Sequence, residues 1–221
     1  MPPCHRRIRR PNKRELLLRL RFPHPFRGVA DNLTIVSMTL LAGGASLFIG
    51  NAYQAQMPGF AHDLGHGDPG MSYSMLLAAD AAGALSAGFV LEGRGLLRPS
   101  PRTARVLAML WCCALGSFAL TTIYPLALAL LFAAGFLELS FNTMAQTLVQ
   151  LNAPVAIRGR VIGLFSTASL GFRTFSGVSV GLVGSLIGIH RSLALSAAAL
   201  LAATGILFAV SRTIATESHV Q

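Results

Sequence analysis

The sequence predicts an all-α fold, that of a polytopic membrane protein with six transmembrane helices. Hydrophobic residues make up 53% of its 221 residues and charged residues only 12%, and its mean hydropathy is +0.59. Six apolar windows of about 20 residues or more follow one another along the chain, and a helix of that length crosses a bilayer core of about 30 Å. This composition argues against a soluble globular enzyme and predicts the lipid bilayer as a partner.

The six predicted spans contain few charges. They cover residues 33–53, 71–91, 104–122, 125–150, 160–189 and 192–211. The chain therefore divides into a basic cytoplasmic tail at 1–30, a six-helix transmembrane bundle at 31–211 and a second cytoplasmic tail at 212–221. Residues 1–30 lack the short apolar region and small-residue cleavage site of a signal peptide, so none is predicted.

The positive charge of the sequence is concentrated near its beginning. The chain has 18 basic and 8 acidic residues, a formal net charge of +10, and nine of the basic residues precede Ala30. A charge of this size is also typical of nucleic-acid-binding proteins. The long apolar runs that follow could not form a dissolved nucleic-acid-binding surface, so we predict no nucleic-acid partner.

The basic residues also predict the orientation of the bundle. Cytoplasmic loops retain Lys and Arg during insertion, and 16 of the 18 basic residues fall in the tails and loops on one side of the predicted spans. The loops on the other side contain only Arg191, while Arg173 falls inside a span. Both termini are therefore predicted on the cytoplasmic side of the membrane. Tyr53, Tyr73 and Tyr124 fall at the predicted outer boundary, where amphipathic rings favour the headgroup level.

This orientation is testable by cysteine labelling in a background without the native cysteines Cys4, Cys112 and Cys113. A cysteine at Gly67, in a predicted outer loop, should react with an impermeant thiol reagent added outside the cell. A cysteine at Ser100, in a predicted inner loop, should react only after the membrane is permeabilised. The reverse pattern would show that the termini lie outside.

Two segments outside the spans have alternative interpretations. Residues 15–22 combine leucines with arginines and form either a short amphipathic segment on an anionic inner leaflet or part of a disordered basic tail. The outer segment 59–70 carries four potential metal ligands, but its glycines and proline favour a solvated polar loop over a metal site. These ligands are His62, Asp63, His66 and Asp68. Because the three cysteines also lack metal-binding spacing, we predict neither a metal nor a cofactor.

Three charged residues fall near the middle of predicted spans. Asp80 lies in the second span, Glu138 in the fourth and Arg173 in the fifth, and the alternating directions of the spans place them at similar depth. Charges at this depth face a protein interior or a water-filled cavity, and transporter substrate sites lie near the same depth. All three are therefore candidate substrate- or ion-binding residues. For Asp80 the alternative is a structural contact with a neighbouring helix.

Polar side chains extend from these charges along one face of the fourth and fifth spans. At 100° per residue, each set covers about a third of the helix circumference or less. The sets are Glu138, Asn142, Gln146 and Gln150 in the fourth span, and Ser166, Ser169, Arg173 and Ser176 in the fifth. Such faces either line a cavity or form interhelical hydrogen bonds in a static bundle. The unbroken polar row in the fourth span favours a cavity.

Glycines occupy an adjoining arc of the fifth span. They are Gly159, Gly163, Gly177, Gly181, Gly184 and Gly188. Glycines in such a row let a neighbouring backbone approach closely. The fifth span is therefore predicted to have a packing face beside its polar face.

The sequence contains no pattern typical of an enzyme. It has no glycine-rich phosphate-binding loop of the P-loop form and no zinc-binding His pair of the metalloprotease form. An intramembrane serine protease would need Gly-x-Ser-Gly, but Ser176-Gly177 follows Thr174-Phe175. We therefore predict no enzymatic activity.

Two runs of sequence resemble a known family. Phe141-Asn-Thr-Met-Ala-Gln-Thr-Leu-Val-Gln150, followed by Arg158-Gly-Arg-Val-Ile-Gly-Leu-Phe-Ser166, is similar to the tenth helix, cytoplasmic loop and eleventh helix of major facilitator superfamily carriers. The resemblance is to the enterobactin-exporter-like and macrolide-efflux branch and covers about residues 31–211. Gly88-Phe-Val-Leu-Glu-Gly-Arg94 with Arg98 resembles the loop motif between the second and third helices of each half. It implies a gating loop of Glu92, Arg94 and Arg98, although Gly93 stands where a basic residue is usual.

This resemblance implies that the chain is the C-terminal six-helix half of a carrier. Its partners would be an N-terminal six-helix half or a second copy of the chain, a small-molecule substrate, and a proton or cation. The expected function is ion-coupled export of a siderophore or a drug-like molecule across the bacterial inner membrane. The alternative is a truncated remnant or an assembly partner that transports nothing.

In such a carrier the charged and polar residues of the spans would have distinct roles. Glu138 would be the proton or cation site, and Arg173 its charge partner or a substrate contact. Four residues would supply neutral hydrogen bonds to the substrate. They are Asn142, Gln146, Ser169 and Ser176.

Overall fold

The computed structural model describes residues 32–65, 70–94 and 99–217. These residues are helical apart from short turns, and none of them forms a strand. The α-helices are α1 (Leu33–Phe48), α2 (Ala52–Ala55), α3 (Met57–Asp63), α4 (Met71–Arg94), α5 (Pro101–Leu120), α6 (Tyr124–Asn152), α7 (Arg158–Ser166), α8 (Arg173–Ile187) and α9 (Ile189–Glu217). A 3₁₀ turn at Val155–Ile157 precedes α7, and a π-helical turn at Thr167–Gly171, the π turn, joins α7 to α8.

Six helical segments are long and apolar enough to cross a membrane, which confirms the predicted fold class. They are Leu33–Ala55, Met71–Leu91, Pro101–Leu120, Tyr124–Asn152, Val155–Ile187 and Ile189–Ala209. The last helix continues beyond residue 211, the predicted end of the bundle, as far as Glu217. The tail at 1–30 with its segment 15–22, His66, Asp68, Arg98 and residues 218–221 lie outside the described residues.

Several helix ends follow from local chemistry. Asn32 caps α1, because its side-chain oxygen accepts hydrogen bonds from the backbone N–H groups of Thr34 at 3.1 Å and Ile35 at 3.3 Å. Pro101 and Pro125 stand in the first turns of α5 and α6, where the missing N–H costs nothing. Gly188, with φ of 92°, separates α8 from α9.

The first helix, α1, packs against α6, α8, α9 and the π turn. On one side α4 packs against α6, and on the other α5 lies between α6 and α9. Large aromatic side chains fill the space between them, with the Trp111 ring stacked on Phe141 at 6.5 Å between centroids and the Phe60 ring 4.8 Å from Phe118. This packing places α2, α4, α6 and α8 around one shared interior.

The backbones of α4 and α6 touch where the two helices cross. A Cβ atom added to Gly135 would collide with the main-chain oxygen of Asp80, and one added to Gly83 would collide with that of Phe132. Glycine at these two positions therefore permits the crossing. The crossing brings Asp80 on α4 within the same layer as Glu138, one turn after Gly135 on α6.

Within the part of the chain that the structure describes, the glycine arc of the fifth span packs against the rest of this bundle only at Gly184. Gly184 is packed, with the Gln56 side-chain nitrogen 3.1 Å from the position of its missing Cβ. The other five glycines of the arc have no atom of the described residues beyond their own helix within 4 Å of that position. These five positions are open because they face away from the other five spans.

The outer segment predicted as a solvated loop is helical up to Asp63. Its helix, α3, buries Phe60 completely. Asp63 lies 3.3 Å from His62 and 3.3 Å from His190 at the start of α9, so it ties α3 to the last span. Within the described ranges, no group of three His, Cys, Asp or Glu side chains is arranged to hold a metal ion.

Candidate functional site

The first span breaks at Gly50, and this break shapes the site. Gly50 adopts a φ of +46°, which ends α1, and its N–H donates to the Ala45 carbonyl at 3.0 Å. Glycine accepts this left-handed conformation without steric cost. After the break, Asn51, Tyr53 and Gln54 direct polar side chains toward α4, α6 and α8. Interrupted helices of this kind recur at transporter binding sites.

Tyr53 joins two carboxyl groups in the interior of the bundle. Its side chain is completely buried. Its hydroxyl oxygen lies 3.1 Å from Glu138 Oε2 on α6, and 3.2 Å and 3.3 Å from the two carboxyl oxygens of Asp80 on α4. The side-chain nitrogen of Gln54 donates to Asp80 Oδ2 at 3.2 Å. A single phenol therefore links Asp80 to Glu138.

Arg173, the first residue of α8, completes this cluster. One of its terminal nitrogens donates to Glu138 Oε1 at 3.2 Å, and the other donates to the side-chain oxygen of Asn51 at 2.9 Å. The side chains of Arg173 and Glu138 are 32% and 16% exposed, so the ion pair is only partly accessible from outside the chain. The structure thus brings together the three charged residues that the sequence places at similar depth, with Glu138 between the other two.

A polar pocket of about 250 Å³ opens next to the ion pair. Asn142 and Gln146 line it from α6, and Ser166, Ser169 and Arg173 line it from the fifth span, together with Phe165 and Leu170. The π turn between Ser166 and Arg173 forms part of its wall, and such turns occur frequently at functional sites. The two polar faces predicted from the sequence meet here.

Ser176 lies elsewhere in the structure. It is completely buried, and its hydroxyl donates to the Arg173 carbonyl at 2.8 Å and lies against Gly50. The π turn changes the helical repeat before Arg173, so the 3.6-residue extrapolation from Ser166 does not hold across it. Glu92 and Arg94, two residues of the expected gating loop, belong to the end of α4.

Sequence reasoning missed Asn51, Tyr53 and Gln54 as members of the site. The prediction that Tyr53 lies at the outer headgroup level is wrong, because its side chain is completely buried and its hydroxyl contacts Asp80 and Glu138 near the middle of their spans. One signal was present in the sequence. Gly50 and Asn51 stand near the end of an apolar span, and Tyr53 and Gln54 follow two and three residues after Asn51, which indicates an interrupted helix.

Two larger recesses lie on the outer faces of the bundle. Their volumes are about 440 Å³, between α1, α8 and α9, and 530 Å³, between α4 and α6. Apolar side chains such as Phe48, Leu195 and Phe89 dominate their walls. Among the described residues, no charged side chain lines either recess, although both are larger than the polar pocket. We therefore place the candidate functional site in the polar pocket.

The family of the chain follows from a comparison with protein-family models. The model of a major-facilitator-type family described as transmembrane secretion effector matches residues 26–220. The chain belongs to this family. Its members are membrane transport proteins rather than enzymes, which agrees with the six spans and with the superfamily resemblance of the sequence. No curated protein and no solved structure matches the chain.

Proposed function

We propose that this protein forms one side of a secondary active transporter that exports a small molecule, a siderophore or a drug-like compound, across the bacterial inner membrane. The observation that supports this proposal is the polar pocket, which adjoins a charged cluster in the interior of a six-span bundle. A cavity next to titratable groups is the arrangement that secondary transporters use to bind substrate and coupling ion close together.

Within this function, the residues have distinct roles. Asn142, Gln146 and Ser169 offer hydrogen bonds to the substrate, and Arg173 is its charged contact. Glu138 is the residue that binds the coupling proton or cation, because it forms an ion pair with Arg173 and its side chain is partly exposed. Ser176 contributes indirectly, because its hydroxyl group donates a hydrogen bond to the backbone carbonyl of Arg173.

We further propose that a second six-helix bundle closes the pocket. Gln146 and Gln150 are exposed on α6, and five glycines of the fifth span face open space. Exposed polar groups are costly in lipid, whereas the glycines would allow another helix to approach closely. The second bundle would be an N-terminal half, as in the enterobactin-exporter-like and macrolide-efflux branch, or a second copy of this chain. Both termini would be cytoplasmic, and Glu92, Arg94 and Arg98 would form the gating loop on that side.

Transport by everted membrane vesicles tests this function. Vesicles from cells that express the full gene should accumulate members of a panel of labelled siderophores and macrolides when energised, and a protonophore should abolish the accumulation. The change Asn142→Leu should lower the rate at least about tenfold, because it removes a hydrogen bond and fills the pocket.

Thr147→Val is the matched control for this experiment. Thr147 lies on the same helix, but its hydroxyl donates to the Thr143 carbonyl at 2.8 Å and does not line the pocket. Its rate should stay within about twofold of the wild type. An equal loss in both variants would contradict the pocket assignment. No accumulation of any panel member would favour the alternative, a remnant or assembly partner that transports nothing.

A further inference from the structure

The Tyr53 hydroxyl group lies between two carboxyl groups but carries only one hydrogen. It is within 3.3 Å of both Asp80 oxygens and within 3.1 Å of Glu138 Oε2. A carboxylate accepts hydrogen bonds but donates none. If Asp80 and Glu138 were both ionised, one of them would face the lone pairs of the phenol oxygen inside a buried cluster. The phenol can form a hydrogen bond with each of the two carboxyl groups when these groups together carry one proton.

The neighbours of the two carboxyl groups decide where this proton lies. Glu138 faces the Arg173 guanidinium, which favours its ionised form. Asp80 faces Tyr53 and Gln54 from α2 and Glu138 from α6, and within the described part of the chain no cation contacts it. The proton therefore belongs on Asp80.

A proton on Asp80 Oδ1 gives the phenol a matched partner on each side. The Asp80 carboxyl group then donates to the Tyr53 oxygen across the 3.3 Å contact, and Tyr53 donates to Glu138 Oε2. Gln54 donates to Asp80 Oδ2, and Arg173 donates to Glu138 Oε1. The bonds form one chain that runs from Asp80 to the pocket.

We propose that Asp80 stores the coupling proton and that Tyr53 relays it to Glu138 when Arg173 leaves Glu138 for an anionic group of the substrate. In the relay, the Asp80 O–H bond breaks as a new O–H bond forms on Tyr53, and the original Tyr53 O–H bond breaks as one forms on Glu138 Oε2. Tyr53 ends unchanged, Asp80 becomes a carboxylate and Glu138 becomes neutral. This inference rests on the proposed transport function, since it names the proton site and the substrate charge of the same pocket.

Arg173 has the features that this exchange requires. It lines the polar pocket and bonds Glu138 at the same time. Its Nε atom is buried and has no hydrogen-bond partner among the described residues. A guanidinium binds anionic oxygens through several N–H groups at once, so an anionic substrate group can compete with Glu138 for it.

Infrared spectroscopy of the purified full-length protein in lipid nanodiscs tests the proton site without any substrate. At neutral pH the wild type should show the C=O band of a protonated carboxylic acid, and ¹³C-labelled aspartate should shift this band. Asp80→Asn should remove the band, whereas Asp63→Asn, which alters an exposed carboxyl group on α3, should leave it. A band shifted by labelled glutamate instead, or no band, would overturn the proposal, and the wild-type label result decides this even if Asp80→Asn fails to fold.

The relay is tested by removing the guanidinium. In Arg173→Met, Glu138 loses its counter-charge while Asp80 keeps its neutral donors Tyr53 and Gln54, so labelled glutamate and not labelled aspartate should shift the band. Arg173→Lys retains the positive charge and should keep the wild-type pattern. A band that remains on aspartate in Arg173→Met would overturn the relay. Neither measurement depends on transport, so a failure here is distinct from a failure of the proposed function in vesicles.

Discussion

Gly135→Ala should destabilise the bundle strongly, although it adds a single methyl group. The new Cβ would collide with the main-chain oxygen of Asp80, and neither helix backbone can yield without separating α4 from α6. Overpacking that moves a backbone costs about 3 kcal/mol at the upper end of its usual range. The free energy of unfolding of the purified protein in mild detergent, measured by denaturant titration, should fall by about this amount, and the yield of monodisperse protein should fall with it.

Gly163→Ala is the matched control for this substitution. It is also a glycine-to-alanine change within a helical span, but its Cβ would meet no described atom beyond its own helix within 4 Å. Alanine favours the helix by about 1 kcal/mol over glycine, so the control should be neutral or slightly stabilising. Equal stability of the two variants would show that α4 and α6 do not cross in direct contact at Gly135.

Removing one charge of the Glu138–Arg173 pair should harm the protein more than removing both. In Glu138→Gln the guanidinium stays charged, because arginine does not lose its proton in proteins, and it is left beside a neutral amide. Breaking a buried ion pair costs about 3 to 5 kcal/mol. We expect the lower end of this range, since the Arg173 side chain keeps 32% of its surface exposed. Thermal unfolding and expression level measure this loss.

The double variant Glu138→Gln with Arg173→Met should separate folding from transport. Replacement of an ion pair by groups of similar size is often nearly neutral for stability, so expression should recover. Transport in energised vesicles should remain absent, because both the ion-coupled group and the charged substrate contact are gone. If the effects of the two single changes on stability simply add, the pair is not coupled.

Much of this protein follows from local sequence patterns alone. The six spans, the all-helical class and the polar faces of the fourth and fifth spans depend on composition and on residue spacing within one helix, and these properties survive in any arrangement of the helices. Asp80, Glu138 and Arg173 could be singled out for the same reason, because a charge inside an apolar span is unusual wherever its helix packs. The pocket residues Asn142, Gln146 and Ser169 follow from the same periodicity.

The partners of these residues depend on contacts between distant parts of the chain. Tyr53 looked like an interfacial residue because the apolar window ended there, and only its contacts with α4 and α6 place it inside the bundle. The glycines that mattered for packing within the bundle were Gly83 and Gly135, and not most of the row in the fifth span. A row of glycines shows that a backbone can approach, but the direction in which each helix faces is set by the packing of the whole bundle. Likewise, the regular helical repeat could not predict the direction of the Ser176 side chain. The π turn before it changes the number of residues per turn and so rotates the following residues about the helix axis.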